Sequence, residues 1–286
     1  MKYEFTKEIS NQFPISRICK TLKISKSGYY AWFKNPKSKR DLKNECLLKK
    51  IKEFHNISRK RYGSPRIYKD LKDAGIACSL NRTARLMKKN NIEAKMKKKF
   101  KITTNSKHNY PIAENILDRN FSVKEKDRVW VSDISYIYTA EGWEYLCIIM
   151  DLFSRNIVGW SMDSRMKVDL VKNAFNMAYN KRKPKPGLIF HSDRGSQYAC
   201  KEFRKLLKSK KFIASMSRKG NCWDNACAES FFHSLKTEEV YFNYYNSRAE
   251  AKRSVFEYIE VFYNRTRRHS YLGYISPENY ELKKVA

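Results

Sequence analysis

The chain has 286 residues, 42% of them hydrophobic, and carries 60 lysines and arginines against 29 aspartates and glutamates, a formal net charge of +31. Self-repulsion of that size calls for a polyanionic partner, with nucleic acid the default, while the apolar fraction provides a true core and argues against a mere packing protein. Seven scattered cysteines (19, 46, 78, 147, 200, 222 and 227) lack any Cys-x-x-Cys pair and the five histidines miss finger spacing, which excludes a disulfide scaffold and a structural zinc site. No apolar run approaches a membrane span and no signal peptide is expected, so the reading is of reduced thiols in a cytoplasmic protein without a membrane partner.

The charge is uneven. Residues 1–120 hold 31 basic and 10 acidic side chains, and residues 121–286 hold 29 and 19. The front of the chain therefore reads as a binding region and the back as a folded enzyme. Residues 14–34 predict two short helices around a turn. Ile15, Ile18, Cys19 and Leu22 recur at helical spacing, and Ser25 or Ser27 can cap a second helix bearing Tyr29, Tyr30 and Trp32. This pair fits DNA contact and plain helical packing equally. A second pair is predicted at 64–91, with Ile67, Tyr68 and Leu71 on one face, a break at Gly75 and a cap at Ser79. A recognition helix presents its first polar residues to base edges. Asn81, Arg82, Thr83 and Arg85 are therefore the expected DNA-binding residues, with Lys88, Lys89 and the run Lys95–Lys101 extending the basic surface. The blander alternative is a solvated basic face. The polar stretch that follows, with Pro111, reads as a linker.

From residue 128 the pattern turns to strands: Val129–Tyr138, Trp143–Met150 after an Ala140-Glu141-Gly142 turn, and Asn156–Met162. A helix over 167–181, a strand Leu188–Ser192, a helix over 199–209 and a strand Phe212–Met216 follow. Two helices, 223–239 and 247–264, close the chain. This order predicts an α/β, ribonuclease-H-like mixed five-stranded sheet flanked by helices, preceded by a helical, helix-turn-helix-type DNA-binding region. The expected divisions are 1–60, 61–101, a linker 102–120, and a catalytic core with C-terminal helices over 121–286.

Three carboxylates stand out on this plan. Asp133 lies inside the first strand, Asp193 ends the fourth, and Glu229, separated from Asp193 by 35 residues, comes from the helix packed across the sheet edge. An acid in a buried strand is costly unless its charge is offset, and converging acids repel unless a divalent cation lies between them. Carboxylate oxygens suit Mg²⁺ or Mn²⁺, and two such ions clamp the oxygens of a phosphoryl transfer. Asp133, Asp193 and Glu229 are therefore the expected catalytic and metal-binding residues, holding two Mg²⁺ ions for which Mn²⁺ can substitute. Taken singly, each acid reads as a surface or salt-bridged residue. Ala228, Phe232 and Leu235 form that helix's packing stripe, while Asn225, Glu229, His233 and Lys236 share the neighbouring face. Lys236 is expected at a DNA phosphate, as are Arg265, Arg267 and Arg268. His191 reads as an orienter of Asp193 or a packed strand histidine, Asp151 as a turn cap, and Trp223 and Tyr241, Tyr244 and Tyr245 as base-stacking or core residues.

Several long strings in one order, covering nearly the whole chain, resemble the OrfB transposases of the IS-three family of bacterial insertion sequences, whose core is similar to retroviral integrases. They are Ile24–Trp32, Tyr62–Ile67, Trp130–Tyr136, His191–Tyr198, Asp224–Ala226 through Glu229–Phe232, Tyr263-Asn264 through Arg268-His269-Ser270, then Leu272-Gly273-Tyr274 and Ser276-Pro277. The resemblance places the acidic triad on Asp133, Asp193 and Glu229, and the basic residue seven positions on at Lys236. Ser135 stands where the family often has threonine. The resemblance implies cleavage at the terminal inverted repeats of an element and attack of the freed 3′-hydroxyl on double-stranded target DNA. It also implies an OrfA partner, joined in some cases by a ribosomal frameshift, a homo-oligomer, and a place on the bacterial nucleoid. The alternatives are a transposase-derived regulator without catalysis, and a ribonuclease-H-like nuclease or resolvase.

Overall fold

The computed structural model describes residues 1–35, 37–95, 110–219 and 221–285. Most of the expected basic run 95–101 and the first part of the linker lie outside the described residues. Two compact units form, Met1–Ala94 and Lys95–Ala286. None of the described helices is long and apolar enough to cross a membrane.

The first unit is helical: α1 (Lys2–Ile9), α2 (Ile15–Thr21), α3 (Lys26–Lys34), α4 (Lys39–Ile57), α5 (Ser64–Asp73) and α6 (Leu80–Lys89). The starts follow local chemistry. Ser25 accepts the Gly28 N–H at α3, Ser38 and Asp41 form a reciprocal capping box at α4, and Ser79 accepts the Arg82 N–H at α6. Pro65 occupies the first turn of α5, and Gly75, at φ +72°, turns the chain after it. Leu47 and Ile51 of α4 join Ile67 and Leu71 of α5 and Leu86 and Met87 of α6 in the buried set. The expected helix pairs are α2–α3 and α5–α6. The sequence pattern sets no bounds for α1 and α4.

The second unit runs β1 (Val129–Thr139), β2 (Gly142–Asp151), β3 (Ile157–Asp163), α7 (Val168–Arg182), β4 (Ile189–Ser192), α8 (Ser196–Ala199), α9 (Lys201–Ser209), β5 (Ile213–Met216), α10 (Ala226–Glu238), α11 (Arg248–Phe256) and α12 (Pro277–Val285). The sheet order is β3-β2-β1-β4-β5. Two antiparallel pairs come from the meander, and the β1–β4 and β4–β5 pairs are parallel, with α7 and α8–α9 as crossovers. This is the expected ribonuclease-H-like arrangement. Strand alternation divides the core. Val131, Ile137, Ile148 and Met150 pack under Phe231, Leu235 and Tyr258, while Trp130, Cys147, Ile149 and Val158 pack under Phe175, Phe190 and Phe203. A Cβ on Gly159 would lie 2.3 Å from the Ala174 carbonyl oxygen, so only glycine lets α7 approach β3 this closely.

The last expected helix departs from the plan. α11 ends at Phe256 and continues as a π-helix over Glu257–Tyr263. Asn264 then exchanges hydrogen bonds with the backbone of Ile157, accepting its N–H at 2.9 Å and donating to its carbonyl at 3.0 Å, as a neighbouring strand would. The third closing helix, α12, has no counterpart among the expected elements. Its Glu281 accepts two hydrogen bonds from Arg182 and one from Ser154.

Candidate active site

The parallel register of β1 and β4 pairs Ser132 with Ser192, so the next residues, Asp133 within β1 and Asp193 just past the end of β4, stand side by side. Asp133 faces Ile148 across the antiparallel pair and accepts the Ile134 N–H at 2.9 Å. Burial, the adjacent Asp193 charge and, less strongly, Glu229 hold its carboxyl well above the usual carboxylate range, with Lys236 pulling the other way. Asp193 accepts the Gly195 N–H at 2.9 Å. A Cβ at Gly195 would stand 3.0 Å from that carboxylate oxygen, which explains a glycine in this turn.

Glu229 lies in the first turn of α10 and reaches solvent, its carboxyl raised by the partial cover it has. Asp133 and Asp193 are thus the close pair, and Glu229 stands within reach of their charge. Among the described residues, no three carboxylate, imidazole or thiolate groups are drawn tightly enough together to hold an ion as placed. The donor chemistry fits a hard divalent cation all the same: two converging carboxylates supply oxygen donors, and burial and the Asp193 charge both disfavour the charged form of Asp133. Lys236, two turns beyond Glu229, sets its ammonium 4.7 Å over the Tyr136 ring and close enough to Asp133 for the charges to interact.

Two residues before α10 fix where Glu229 sits. Asn225 donates to the Ser132 carbonyl at 3.1 Å, tying the helix start to the residue before Asp133, and its own Oδ1 is buried without a partner. Asp224 is fully buried and accepts from the Arg218 backbone and guanidinium, from Arg119 Nε at 2.8 Å and from Asn115 at 3.1 Å. The Arg218 guanidinium, with the other donors, holds this carboxyl well below its ordinary range. Sequence reasoning assigns Asp224 no role. An acid just ahead of the helix that carries Glu229, with unassigned arginines at 119 and 218, is the available signal, but nothing in a linear chain joins residues 105 apart.

His191 packs rather than orients. It is buried and hydrogen-bonded to Ser215 Oγ at 2.9 Å and Ser217 Oγ at 3.1 Å, and burial lowers its pKa to about 4, so it is neutral. Asp151 is the turn cap expected, accepting the Phe153 N–H at 3.2 Å.

The basic residues sort less simply. Arg267 is buried and pairs with Glu238 of α10 through Nε at 2.8 Å and Nη2 at 2.6 Å, with Ser234 also accepting. The expectation that it meets phosphate is corrected: its guanidinium is consumed inside the fold. Arg268 donates to the Tyr274 carbonyl at 2.8 Å, and Arg265, exposed, pairs with Glu278 at 3.7 Å. In the first unit, Asn81 and Arg85 are exposed on α6. Arg82 donates to Asn44 Oδ1 at 2.8 and 3.0 Å. Thr83 is fully buried with its hydroxyl on the Ser79 carbonyl, so its expected base contact is also corrected: it faces the core, two positions from exposed Asn81 and Arg85. Trp223 and Tyr244 are exposed, while Tyr245 is core.

Comparison with known proteins adds to this picture. Residues 123–222 match a family model described as an integrase core domain, residues 229–285 match a second of the same description, and residues 41–100 match an HTH-like domain. The chain is 43% identical over 266 residues to an uncharacterised 31 kDa protein of insertion element IS600 from Shigella sonnei, spanning 93% of this chain and 98% of that one. It is 37% identical over 289 residues to the transposase InsF for insertion sequence IS3A of Escherichia coli strain K12, spanning all of both chains. A chain of the simian T-cell lymphotropic virus intasome, solved with PP2A regulatory subunit B56 gamma, superposes with a TM-score of 0.48 at 12% identity, covering 81% of this chain and 74% of that one.

Proposed function

The chain belongs to the IS3 (IS-three) family of insertion-sequence transposases, and from that premise we propose that it is a DDE-type polynucleotidyl transferase that cuts the ends of its element and joins them to target DNA through Asp133, Asp193 and Glu229. The observation that carries this is the β1–β4 register, which sets Asp133 beside Asp193 in an integrase-type sheet, with Glu229 and Lys236 on the helix across from them. Mg²⁺, as two ions and with Mn²⁺ as a substitute, would be held by these three carboxylates and would supply Lewis-acid stabilisation of phosphate charge and a more acidic attacking hydroxyl.

The chain's own residues do the positioning. The Ile134 N–H holds one oxygen of Asp133 and the Gly195 N–H one oxygen of Asp193, which orients the two carboxylates. Asn225 and Asp224 fix the helix that brings Glu229. Lys236 draws a DNA phosphate toward the acids and offsets their charge. In the first half-reaction water attacks the phosphorus at the element end, and the P–O3′ bond breaks to leave a 3′-hydroxyl. In the second, that hydroxyl gives up its proton and attacks a target phosphodiester, one P–O bond forming as another breaks.

The residues 1–60 and 61–101 are proposed as the DNA-binding part, with Asn81 and Arg85 as exposed base or phosphate contacts, and 121–286 as the catalytic part. We infer double-stranded element ends and target DNA as partners, OrfA as a protein partner, separate or fused, a homo-oligomer that brings two ends together, and work at the bacterial nucleoid. The test is resolution of a branched DNA that mimics the joined product, with Mg²⁺ or Mn²⁺, against Asp193→Ala. Metal-dependent resolution that the substitution abolishes is the expected result. Resolution that survives Asp193→Ala would overturn the assignment.

A further inference from the structure

Tyr136 faces Tyr145 across β1 and β2, and one step outward Tyr138 faces Trp143. Residues two apart on a strand share a face, so the four rings form one ladder. Trp143 meets Tyr136 edge-on at 4.9 Å and Tyr138 at 5.1 Å between ring centroids. The inner end is rooted, because Tyr145 packs against the core layer that holds Trp130 and Ile149. The outer end is open: Tyr138 is 59% and Trp143 47% exposed. Cross-strand packing accounts for the rings touching each other. It does not account for a tryptophan and a tyrosine whose remaining surface stands together in water.

Three observations say what covers that surface. The hairpin is pinned, with Ala140 donating to the Tyr245 carbonyl at 2.9 Å and the Arg248 N–H to Glu141 at 2.8 Å, so the ladder is a fixed platform. Among the described residues, β4 meets β1 only along Val129–Ser132, which leaves the outer half of β1 without a strand on that side. The ladder begins three residues beyond Asp133, about 10 Å along the strand; this odd spacing sets the rings on the sheet face opposite the Asp133 side chain, and Lys236 joins the two at the open edge of β1, with its ammonium over Tyr136 and its charge on Asp133. The rings thus meet the proposed phosphate position through Lys236 at the strand edge, not on the face that carries Asp133.

We propose that the Tyr136–Trp143–Tyr138 ladder is a base-stacking platform, on which Trp143 and Tyr138 receive an unpaired base of the DNA strand whose phosphate lies at Lys236 and the carboxylates. This rests on the transposase mechanism above. Aromatic faces accept any base, so the platform would be tolerant of sequence and would offset the cost of unstacking a nucleotide next to the reacting phosphate.

The test uses the full-length chain and the branched DNA, measuring binding by fluorescence anisotropy in Ca²⁺. Single abasic sites are walked over about five nucleotides on each side of the joint. Trp143→Ala is expected to weaken binding about tenfold, Tyr138→Ala less, and Trp143→Phe little. One abasic position is expected to cost wild type a similar factor and to cost Trp143→Ala almost nothing, because the two changes remove the same contact. Losses that add at every position, or a Trp143→Ala protein that binds like wild type while wild type still resolves the branch with Mg²⁺, would overturn the platform and leave the transposase mechanism standing. Failure of wild type to bind the branch would overturn both.

Discussion

Asp133 has its carboxylate beside Asp193 in a largely buried strand, and both burial and that neighbour favour the protonated form. Its pKa in the fold lies above its pKa in the unfolded chain. The folded state therefore holds more protons in the interval between the two values, and stability falls as pH rises through that interval. Asp133→Asn keeps the acceptor for the Ile134 N–H and removes the charge. In chelator at neutral pH the variant is expected to be about 0.5–2 kcal/mol more stable than wild type, as is common where an active-site group is poorly accommodated, with a flatter pH dependence and no branch resolution. Urea melts at pH 5 and pH 8 check this, and a variant no more stable at pH 8 would show that burial does not strain the group. The same reasoning makes this residue legible from the amino-acid order alone: an acid in an apolar run is conspicuous because the fold gains nothing from it. Arg267 is the opposite case. An arginine among arginines near the chain's end reads as a phosphate ligand, and only the fold shows Glu238 waiting 29 residues upstream.

At the scale of elements, that ion pair explains how the C-terminal segment serves the site. Arg267 holds Ser234 and Glu238 on α10, Tyr263 meets Phe231 of the same helix edge-on at 4.8 Å, and Asn264 holds β3, so the stretch after the π-helix braces the helix that carries Glu229. Removing one partner of a buried pair leaves the other charge unsatisfied. Arg267→Ala is therefore expected to cost about 3–5 kcal/mol and to lower branch resolution, while the salt dependence of DNA binding keeps its slope. A reduced slope with unchanged stability would return Arg267 to the DNA surface. The strands and the helices that pack one apolar face on the sheet are readable because their hydrophobic periods are clean. The bounds of α4 are not, since lysines interrupt nearly every turn of it. Nor is α12, whose docking depends on Glu281 meeting Arg182 99 residues away. The convergence of Asp133 and Asp193 can be read from strand order, and the Asp224 clamp that fixes the third acid cannot.

Over the whole molecule, charge is unevenly divided between the two units. The unit Met1–Ala94 carries 24 basic and 8 acidic residues, and Lys95–Ala286 carries 36 and 21, so nearly equal net charge is packed into half the length at the front of the chain. Binding through many phosphates releases counterions and gives a steep salt dependence, whereas chemistry at one phosphate depends on a few fixed groups. The two contributions are separable by single substitutions. Arg85, exposed on α6 of the front unit, is proposed to act in affinity; Lys236, half-buried beside Asp133, is proposed to act in turnover. Arg85→Gln is expected to weaken binding to element-end DNA several-fold and to reduce the slope of log affinity against log salt by about 1 if it meets a phosphate, with the rate of resolution of saturating branched DNA unchanged. Lys236→Gln is expected to leave that slope nearly as it was and to slow resolution by about 10²-fold, the scale for one electrostatic stabiliser of a reacting centre. Salt titrations and single-turnover rates on the two variants decide the matter. A slowed rate in Arg85→Gln at saturation, or a normal rate in Lys236→Gln, would mean that binding and chemistry are not divided along the chain in this way.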